Sequence, residues 1–256
     1  MALLKFGNHI LKQGKFLSVA GSPFKQTVFN DIGEIYANLQ PGDKVAFLIR
    51  HGQRPTEEWG PEVPLTEEGI RQARLTGSKI QAGIASKNQI EAHSTETVRT
   101  QQTAFYIAES RGDDLWPEYT DVPTDHNINS ELYYTNSEDE HPYHEIAAFA
   151  YGELIDVAPE AMDKYQNLEL VTNYIMEIIT GTLRDSDKPV HLFTSHDSVI
   201  LPFTVKMTNN QLQLLRFWEN HHWLNYCAGT AVILRANGVV ETYPIKGLDS
   251  GWFRPW

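Results

Sequence analysis

Three short segments, each with the length of a strand, constrain the fold of this chain more than any other feature. They are KVAFLI at 44–49, QIEAHS at 89–94 and PVHLFTS at 189–195, and the first is a mostly apolar run, as expected of a buried strand. Behind the first, Thr66 can cap a helix whose apolar residues recur at helical spacing. Strands that alternate with helices predict an α/β fold with a mostly parallel sheet.

Near the C-terminus, TAVILRANGVVETYPI at 230–245 has the pattern of a β-hairpin. The Asn237-Gly238 pair at its centre predicts a type I′ turn, and the hairpin predicts an antiparallel edge to the sheet. Two further segments, 145–165 and 168–183, predict helices.

The segment 112–145 is polar and rich in turn residues, which predicts a cap or specificity insertion. The sequence contains no internal repeat and no linker, so residues 1–256 are predicted to form one domain. The expected architecture is a three-layer α/β/α sandwich. It has a mostly parallel central sheet, an antiparallel edge hairpin near the C-terminus and a small cap of loops and helices.

The composition limits the partners of the chain. A formal net charge of −12 argues against nucleic acid or an anionic membrane, because both require a basic surface. The single cysteine, Cys227, excludes an internal disulfide and a site with several thiolates. No apolar stretch approaches the roughly 20 residues of a membrane helix.

The first 24 residues interleave lysines with apolar residues and lack the continuous apolar core of a signal peptide. We therefore expect a cytoplasmic protein. A periplasmic or secreted protein whose signal peptide had been removed would read the same way, and that alternative stays open.

Three polar pairs mark the places where the predicted strands end. In open α/β sheets, ligands bind beyond the carboxyl ends of the strands. The residues that lie there are Arg50-His51, His93-Ser94 and Ser195-His196. We expect the functional site at this edge of the sheet.

The first strand end, IRHGQRP, has the composition of an oxyanion site. Gly52 permits a tight turn and the close approach of a ligand. Arg50 and Arg54 carry planar forks that suit an anion with several oxygens. Between permanent cations His51 is predicted to stay neutral, and a neutral imidazole is a nucleophile. A surface histidine among solvated arginines explains this single motif equally well.

The other two strand ends change that balance. HSTETVRTQQTA places Arg99 near the start of a helix, from which its guanidinium can reach the cleft. LFTSHDS places His196-Asp197 directly after a strand, with Thr194 and Ser195 as small donors. Each segment alone has an ordinary structural explanation, but three such strand ends rarely occur together by chance.

In their order along the chain, RHGQRP, PLTEEGIRQA, HSTETVRTQQTA and SHD resemble the motifs of the histidine phosphatase superfamily, over about residues 44–245. The RHGxR core and the final His-Asp pair are similar to the acid-phosphatase branch. Pro55 departs from the acid-phosphatase pattern RHGxRxP, because it comes one position early. Two features, the LTxxGxxQA block and the short chain, are more like the phosphoglycerate-mutase branch. The chain thus resembles a small acid-phosphatase-type member without the large helical insertion of that branch.

The resemblance implies a role for each residue. His51 would be the nucleophile and become phosphohistidine, and Asp197 would protonate the leaving oxygen and then help to activate water. The catalytic set that it implies is His51, Arg50, His196 and Asp197. The phosphate pocket that it implies is Arg50, Arg54, Arg99 and His196, with Thr194 and Ser195 as further donors. It implies no metal and no cofactor, and the expected partner is a small-molecule phosphate ester.

Two other functions remain open at this point. A mutase would move a phosphoryl group between two positions of a sugar acid, and it would take its acid from a mid-chain glutamate such as Glu131 or Glu118. A non-catalytic protein that binds phosphorylated ligands would share the same fold. The sequence does not indicate which ester is bound, nor the oligomeric state.

Several other polar and aromatic residues lie near the predicted cleft without a fixed role. Aromatic residues of the loops can form a substrate-facing wall or simply pack the loops, and they are Trp59, Trp116, Tyr133, Tyr134 and Tyr143. His141 and His144 lack further ligands at a settled spacing, so we expect no metal there. His221 and His222 can line the edge of a cleft or lie in the core or at the surface.

Overall fold

The computed structural model describes residues 30–109, 128–136, 142–207 and 222–255. Its helices are α1 (Ile32–Ala37), α2 (Glu67–Ala82), α3 (Val98–Glu109), α4 (Tyr143–Ala150), α5 (Leu154–Val157), α6 (Leu168–Asp185) and α7 (Asp197–Met207). Its strands are β1 (Asn30–Asp31), β2 (Lys44–Arg50), β3 (Ile90–Ser94), β4 (Val190–Ser195), β5 (His222–Leu224), β6 (Gly229–Leu234), β7 (Val240–Lys246) and β8 (Phe253–Pro255). Two 3₁₀ helices are Lys87–Gln89 and Pro159–Lys164.

The central sheet has the strand order β1-β7-β6-β2-β4-β3. Its strands run parallel except β6, which is antiparallel to both of its neighbours, β2 and β7. The prediction of a mostly parallel α/β sheet with an antiparallel hairpin is therefore confirmed. The hairpin β6–β7 lies toward one side of the sheet, and the two-residue β1 occupies the position outside it. Strands β5 and β8 form a separate two-stranded sheet.

Helices cover both faces of the central sheet, and a core lies on each face. Alternate residues of β2 point to opposite sides: Val45, Phe47 and Ile49 pack with α1, α2 and α3, while Ala46 and Leu48 pack with α4, α6 and α7. This alternation is the period of two that a strand imposes on its side chains. The apolar run KVAFLI is buried on both faces, as expected of a central strand.

The prediction of one continuous helix over 145–165 is wrong. The structure has α4, α5 and the 3₁₀ helix Pro159–Lys164 in its place. Gly152 follows α4 with φ +73°, a left-handed conformation that ends a helix and that glycine adopts readily. Pro159 then begins the 3₁₀ helix, because its ring fixes φ and it lacks an amide proton.

The type I′ turn predicted at Asn237-Gly238 is also wrong. In that turn both central residues have positive φ, but at this position only Gly238 does, with φ +82°. The amide of Gly238 donates to the carbonyl oxygen of Arg235 at 2.8 Å, and the amide of Arg235 donates to that of Val239 at 2.8 Å. The hairpin thus closes with a longer loop that has a glycine in the left-handed position.

Most of the predicted cap at 112–145 lies outside the described residues, which include only 128–136 and 142–145 of it. The longer piece, 128–136, is fixed to the end of β4 and the start of α7, since Ser195 Oγ donates to the carbonyl oxygen of Ile128 at 2.9 Å and Ser198 Oγ to that of Ser130 at 3.0 Å. In the described ranges, every helix is too short or too polar to cross a membrane.

Candidate active site

The parallel strands β2 and β4 bring two histidines together at the edge where both strands end. Arg50 pairs with Ser195 in the sheet, so His51 and His196 emerge side by side. Their ring centroids are 5.4 Å apart, with the rings tilted by 64°. Both are almost fully buried, with 3% and 5% of their surface exposed. The expected clustering at this edge of the sheet is what the structure has.

The turn after His51 is held by the first turn of α2. Thr66 caps this helix, since its Oγ1 accepts from the amide of Gly69 at 3.0 Å. A Cβ on Gly69 would lie 2.1 Å from the carbonyl oxygen of Gln53, so only glycine allows the helix to approach so closely. The amide of Gly52 donates to Thr103 Oγ1 of α3 at 3.0 Å. Both helices therefore fix the backbone that carries the histidine.

His51 is a neutral imidazole whose proton lies on Nδ1. This nitrogen is 2.7 Å from the carbonyl oxygen of Gly52, and because a carbonyl only accepts, Nδ1 is the donor. Burial, and then the charge of Arg50, hold the pKa of His51 well below its usual 6.5. Its Nε2 consequently keeps a lone pair at neutral pH, as a nucleophile requires.

His196 is also neutral, and the protein uses both of its ring nitrogens. The guanidinium of Arg99 lies 3.4 Å from Nδ1 and can only donate to it, so the proton of the ring is on Nε2, 3.1 Å from Thr95 Oγ1. Burial, and then the charge of Arg99, lower its pKa to about 3. His196 would have to exchange one of these hydrogen bonds to donate to a phosphate.

All three arginines of the predicted phosphate pocket lie at the edge of the sheet where β2 and β4 end. Arg50 forms an ion pair with Asp197, 2.8 Å from NH2 to Oδ2. Arg54 donates to the carbonyl oxygens of Pro55 and Glu58 at 2.7 and 2.6 Å. Arg99 donates to the carbonyl oxygen of Gly60 at 2.8 Å; burial, and then the charge of Arg54, lower its pKa to about 10.

Some N–H groups of the arginines at this site have no acceptor among the described residues. Within the described part of the chain, the Nε–H groups of Arg50, Arg99 and a further arginine, Arg254, are buried without a hydrogen-bond partner. Buried donors of this kind are costly unless something accepts from them. An oxyanion with several oxygens fits such a set of donors.

Asp197 begins α7 and is ionised in this structure. Burial raises its pKa, but the charge of Arg50 and the hydrogen bond from Trp223 Nε1, 2.6 Å from Oδ2, together hold it below its ordinary value. Sequence reasoning missed Trp223. It lies directly after His221-His222, but only the contact with Asp197 identifies it as part of the site.

A cleft of about 230 Å³ opens beside these groups. Its lining residues are Arg50, Arg54, Thr56, Trp59, Tyr143, Trp223, Tyr226 and Arg254. Trp59 and Tyr143 thus lie in the wall of this cleft, one of the two positions that the sequence left open for them. Tyr226 and Arg254 were not foreseen, because neither stands in a recognisable motif and β8 reaches the cleft only through its pairing with β5.

Several candidates do not face this cleft. The hydroxyls of Thr194 and Ser195 are buried and donate to the carbonyl oxygens of Thr100 and Ile128, both at 2.9 Å. Tyr133 is a core residue whose hydroxyl contacts Thr172 Oγ1 at 2.9 Å. Tyr134 packs against Tyr165, although burial and then the charge of Asp197 raise its pKa.

Other expected residues lie elsewhere. Glu131 is exposed on the segment fixed to β4, and His144 is exposed on α4. His222 is half-buried in β5. Trp116, Glu118, His141 and His221 lie outside the described residues.

One group of side chains in the described ranges has donor atoms close enough to hold a metal ion: Glu91, His93 and His191. His93 Nε2 and His191 Nδ1 are 3.4 Å apart, a distance that a hydrogen bond between the two rings explains. Glu91 and His191 are the second residues of β3 and β4, and His93 is the fourth residue of β3. None of the three lines the cleft beside Arg50.

Comparison with known proteins adds the relatives of this chain. The family model for the histidine phosphatase superfamily (branch 1) matches residues 46–239. This match does not bear out the resemblance to the acid-phosphatase branch. None of the curated proteins searched matches the chain.

The structure is similar to solved structures at low sequence identity. A mutant phosphoserine phosphatase from Entamoeba histolytica, in complex with phosphoserine, is 15% identical with a TM-score of 0.50. The similarity covers 80% of this chain and 98% of the other. The mycobacterial glucosyl-3-phosphoglycerate phosphatase is 14% identical with a TM-score of 0.47, over 79% of this chain and 97% of the other. These similarities concern the fold.

Proposed function

Because the chain belongs to the histidine phosphatase superfamily, we propose that it hydrolyses small phosphate monoesters through a phosphohistidine at His51. The observation that carries this proposal is the hydrogen bond from Nδ1 of His51 to Gly52. It fixes the tautomer, and the lowered pKa keeps Nε2 unprotonated beside the positive charges of Arg50 and Arg99. A neutral nucleophile in a cationic, buried site suits attack on an anionic phosphoryl group.

In the first step, Nε2 of His51 would attack phosphorus, so that an N–P bond forms while the bond from phosphorus to the leaving oxygen breaks. Arg50, Arg54 and Arg99 would bind the other phosphoryl oxygens and stabilise the charge that they carry in the transition state. Their buried Nε–H groups and long side chains support this assignment for Arg50 and Arg99.

The leaving oxygen needs a proton, and we assign its delivery to Asp197. Since this carboxylate is ionised beside Arg50, it must first receive a proton, which a substrate bound as the monoanion can supply. In the second step a water molecule would attack phosphorus, return a proton to Asp197 and break the N–P bond, which releases phosphate and restores His51.

The substrate class we propose is a small ester, of the size of the phosphoserine bound in the similar Entamoeba structure. The cleft of about 230 Å³ supports a small leaving group, because drug-sized ligands occupy pockets of roughly 300–1,000 Å³. Its aromatic wall, with Trp59 and Tyr143, suits the carbon skeleton of such an ester.

A phosphohistidine trapping experiment tests the mechanism. The protein is mixed with a radiolabelled phosphate ester and quenched in base, and the labelled peptide is then identified. We expect label on His51 that survives alkali and is lost in acid. His51→Ala should take up no label and have no activity.

His93→Gln is the matched control, because this ring packs on Phe193 at 4.5 Å and lies outside the cleft. It should keep both label and activity. Label on a serine, or ordinary activity in His51→Ala, would show that the mechanism is wrong.

The mutase alternative keeps one supporting observation. The segment that carries Glu131 is held at the end of β4 by Ser195 and Ser198, so a mid-chain glutamate lies near the site. Transfer of label to an added acceptor alcohol in preference to water would favour the mutase over the hydrolase. A binding protein without activity would show neither reaction.

A further inference from the structure

The candidate active site holds more positive charge than one phosphate group requires. Arg50 is neutralised by Asp197. In the part of the chain that the structure describes, Arg54, Arg99 and Arg254 form no ion pair with a carboxylate. A phosphate monoester bound as the monoanion brings one negative charge against these three guanidinium groups. Positive charge is therefore left over beside it.

Arg254 is the arginine that the phosphate chemistry does not use. It lies in β8 opposite Trp223 of β5, the residue that donates to Asp197. Its guanidinium lies 4.7 Å from the centre of the Tyr226 ring, and that of Arg50 lies at the same distance from it. The aromatic ring thus spaces Arg254 from the phosphate site and holds it by cation–π contact.

Arg254 also has unused donors. Its Nε–H is buried without a partner among the described residues, and its NH1 makes one long hydrogen bond, 3.2 Å, to the carbonyl oxygen of Pro255. Arg54, by contrast, already donates to two carbonyl oxygens. A guanidinium group with this free capacity is suited to a carboxylate, which it can bind through two parallel hydrogen bonds.

The cleft connects the two cationic regions. Arg50 and Arg54 line it together with Arg254, whereas His51, Arg99 and His196 are not among its lining residues. The space therefore lies beside the phosphate pocket, where the leaving group of an ester would lie. The exposed carboxylates of the neighbouring loop, Glu57, Glu58 and Glu62, pair with none of these arginines.

We propose that Arg254 binds a second anionic group, so that the preferred substrate is a small phosphate monoester whose leaving group carries a carboxylate. The inference rests on the proposed function, since it concerns the leaving group of that reaction. A carboxylate adds a negative charge where positive charge is left over, and its two coplanar oxygens fit the fork of the single guanidinium group of Arg254.

The test uses two esters that differ in one group: 3-phosphoglycerate carries a carboxylate where glycerol 3-phosphate carries a hydroxymethyl group. Each is measured as a competitive inhibitor of p-nitrophenyl phosphate hydrolysis by the full chain. We expect 3-phosphoglycerate to bind at least about tenfold more tightly, the ratio that one charge-assisted pair supports. The ratio of the two inhibition constants does not depend on how much active enzyme a preparation contains.

Arg254→Gln should bring that ratio to below about three, because it keeps the length of the side chain and removes its charge. Arg254→Lys should keep most of the preference. Arg184→Ala removes one positive charge from an exposed position on α6 and should leave both activity and ratio unchanged. A ratio near one in the wild type, or an undiminished ratio in Arg254→Gln, would overturn the inference.

Failure of the proposed function would look different. A wild-type protein that does not hydrolyse p-nitrophenyl phosphate would refute the phosphatase activity itself. The dissociation constants of the two esters, measured by calorimetry, then replace the inhibition constants, and the same ratios decide the role of Arg254. Inhibition by glycerol 1,3-bisphosphate, which carries a second phosphate and no carboxylate, stronger than that by 3-phosphoglycerate would assign the second group as phosphate and overturn the choice of carboxylate.

Discussion

At the scale of single residues, burial lowers the pKa of the two site histidines more than the charges of the arginines do. From the sequence we predicted a neutral His51 because cations flank it. In the structure burial is the larger cause and the charge of Arg50 the second. The same arginine has the opposite effect on Asp197, whose pKa it lowers against the effect of burial. The guanidinium group of Arg50 thus adds to the effect of burial on His51 and opposes it on Asp197.

The role of Asp197 can be separated from that of Glu131 by varying the leaving group. Asp197→Asn should slow hydrolysis of glycerol 3-phosphate by about 10²–10⁴-fold, because an alkoxide is a poor leaving group without a proton donor. The loss with p-nitrophenyl phosphate should be much smaller, since nitrophenolate leaves without a proton. The measurement is kcat/KM for both esters as a function of pH. In Asp197→Asn, the part of the pH profile that reports the ionisation of the proton donor should also disappear.

Glu131→Gln is the matched variant, as it makes the same change of carboxyl to amide in the neighbouring segment. If it, and not Asp197→Asn, gives the leaving-group-dependent loss, the donor is the glutamate. Equal losses with both esters in Asp197→Asn would show that this residue orients Arg50 and Trp223 instead.

The residues that carry charge in the motifs could be predicted from the sequence, and those that complete the cleft could not. Arg50, His51, Arg99 and His196 follow strand ends, and parallel strands end at one edge, so their meeting follows from the topology. Arg254 reaches the cleft through a second sheet whose strands are three residues each. Pairing of such short strands leaves no periodic pattern in the sequence.

At the scale of the elements, the position of the nucleophile depends on how closely α2 approaches the turn after β2. Gly69 lies against the carbonyl oxygen of Gln53, and the amide of Gln53 donates to Gln72 Oε1 at 2.9 Å. Thr66, Gly69 and Gln72 belong to the PLTEEGIRQA motif. This motif therefore acts by supporting the turn.

Two glycines in helices test this support, since both receive the same new methyl group. Gly69→Ala places a Cβ 2.1 Å from the carbonyl oxygen of Gln53, so we expect a loss of about 1–3 kcal/mol in the free energy of unfolding and a lower kcat. In Gly181→Ala, in α6, the new Cβ meets nothing within 4 Å. There we expect unchanged activity and a gain of roughly 0.5–1 kcal/mol.

Urea unfolding and steady-state kinetics measure both effects. Equal stability of the two variants would mean that the turn after His51 yields to the methyl group at little cost. If Gly69→Ala is destabilised but keeps its kcat, the packing of α2 contributes to stability and does not determine the position of His51.

The elements themselves differ in how far the sequence determines them. The sequence predicted the strands β2, β3, β4, β6 and β7 of the central sheet. It did not predict β1, because two polar residues leave no strand pattern. The break between α4 and α5 was missed because Ala, Ile and Leu continue on both sides of Gly152 and hide the end of the helix. The hairpin was found, but its loop was not, because Asn237-Gly238 suits more than one turn and the wider loop places only Gly238 at positive φ.

At the scale of the whole molecule, the buried neutral histidines make stability depend on pH. Burial lowers the pKa of His191 to about 4 and that of His196 to about 3, and it holds that of His51 well below 6.5. In the unfolded chain all three would bind protons below about pH 6.5, while in the folded protein they do not. The unfolded state therefore gains protons first, and stability falls as the pH is lowered.

We expect the free energy of unfolding to decrease by up to about 1.4 kcal/mol per pH unit for each of these histidines below about pH 6.5. Urea unfolding at pH 7.5, 6.5 and 5.5 measures the slope. His191→Gln removes the one histidine of the three that lies away from the candidate active site, and it should reduce the slope of the free energy of unfolding against pH. A stability that is constant over this range would mean that the histidines bind protons in the folded protein as well.

The order of the strands also bears on how the protein is made. Strand β2, which carries Arg50 and leads to His51, lies between β4 and β6, so Val45 pairs with both Val190 and Ile233. During synthesis the apolar β2 leaves the ribosome long before either partner exists. Contacts so distant in sequence form slowly, and an unpaired apolar strand is prone to aggregation in the meantime. The strand that leads to the proposed nucleophile thus also gives the nascent chain a need for a chaperone.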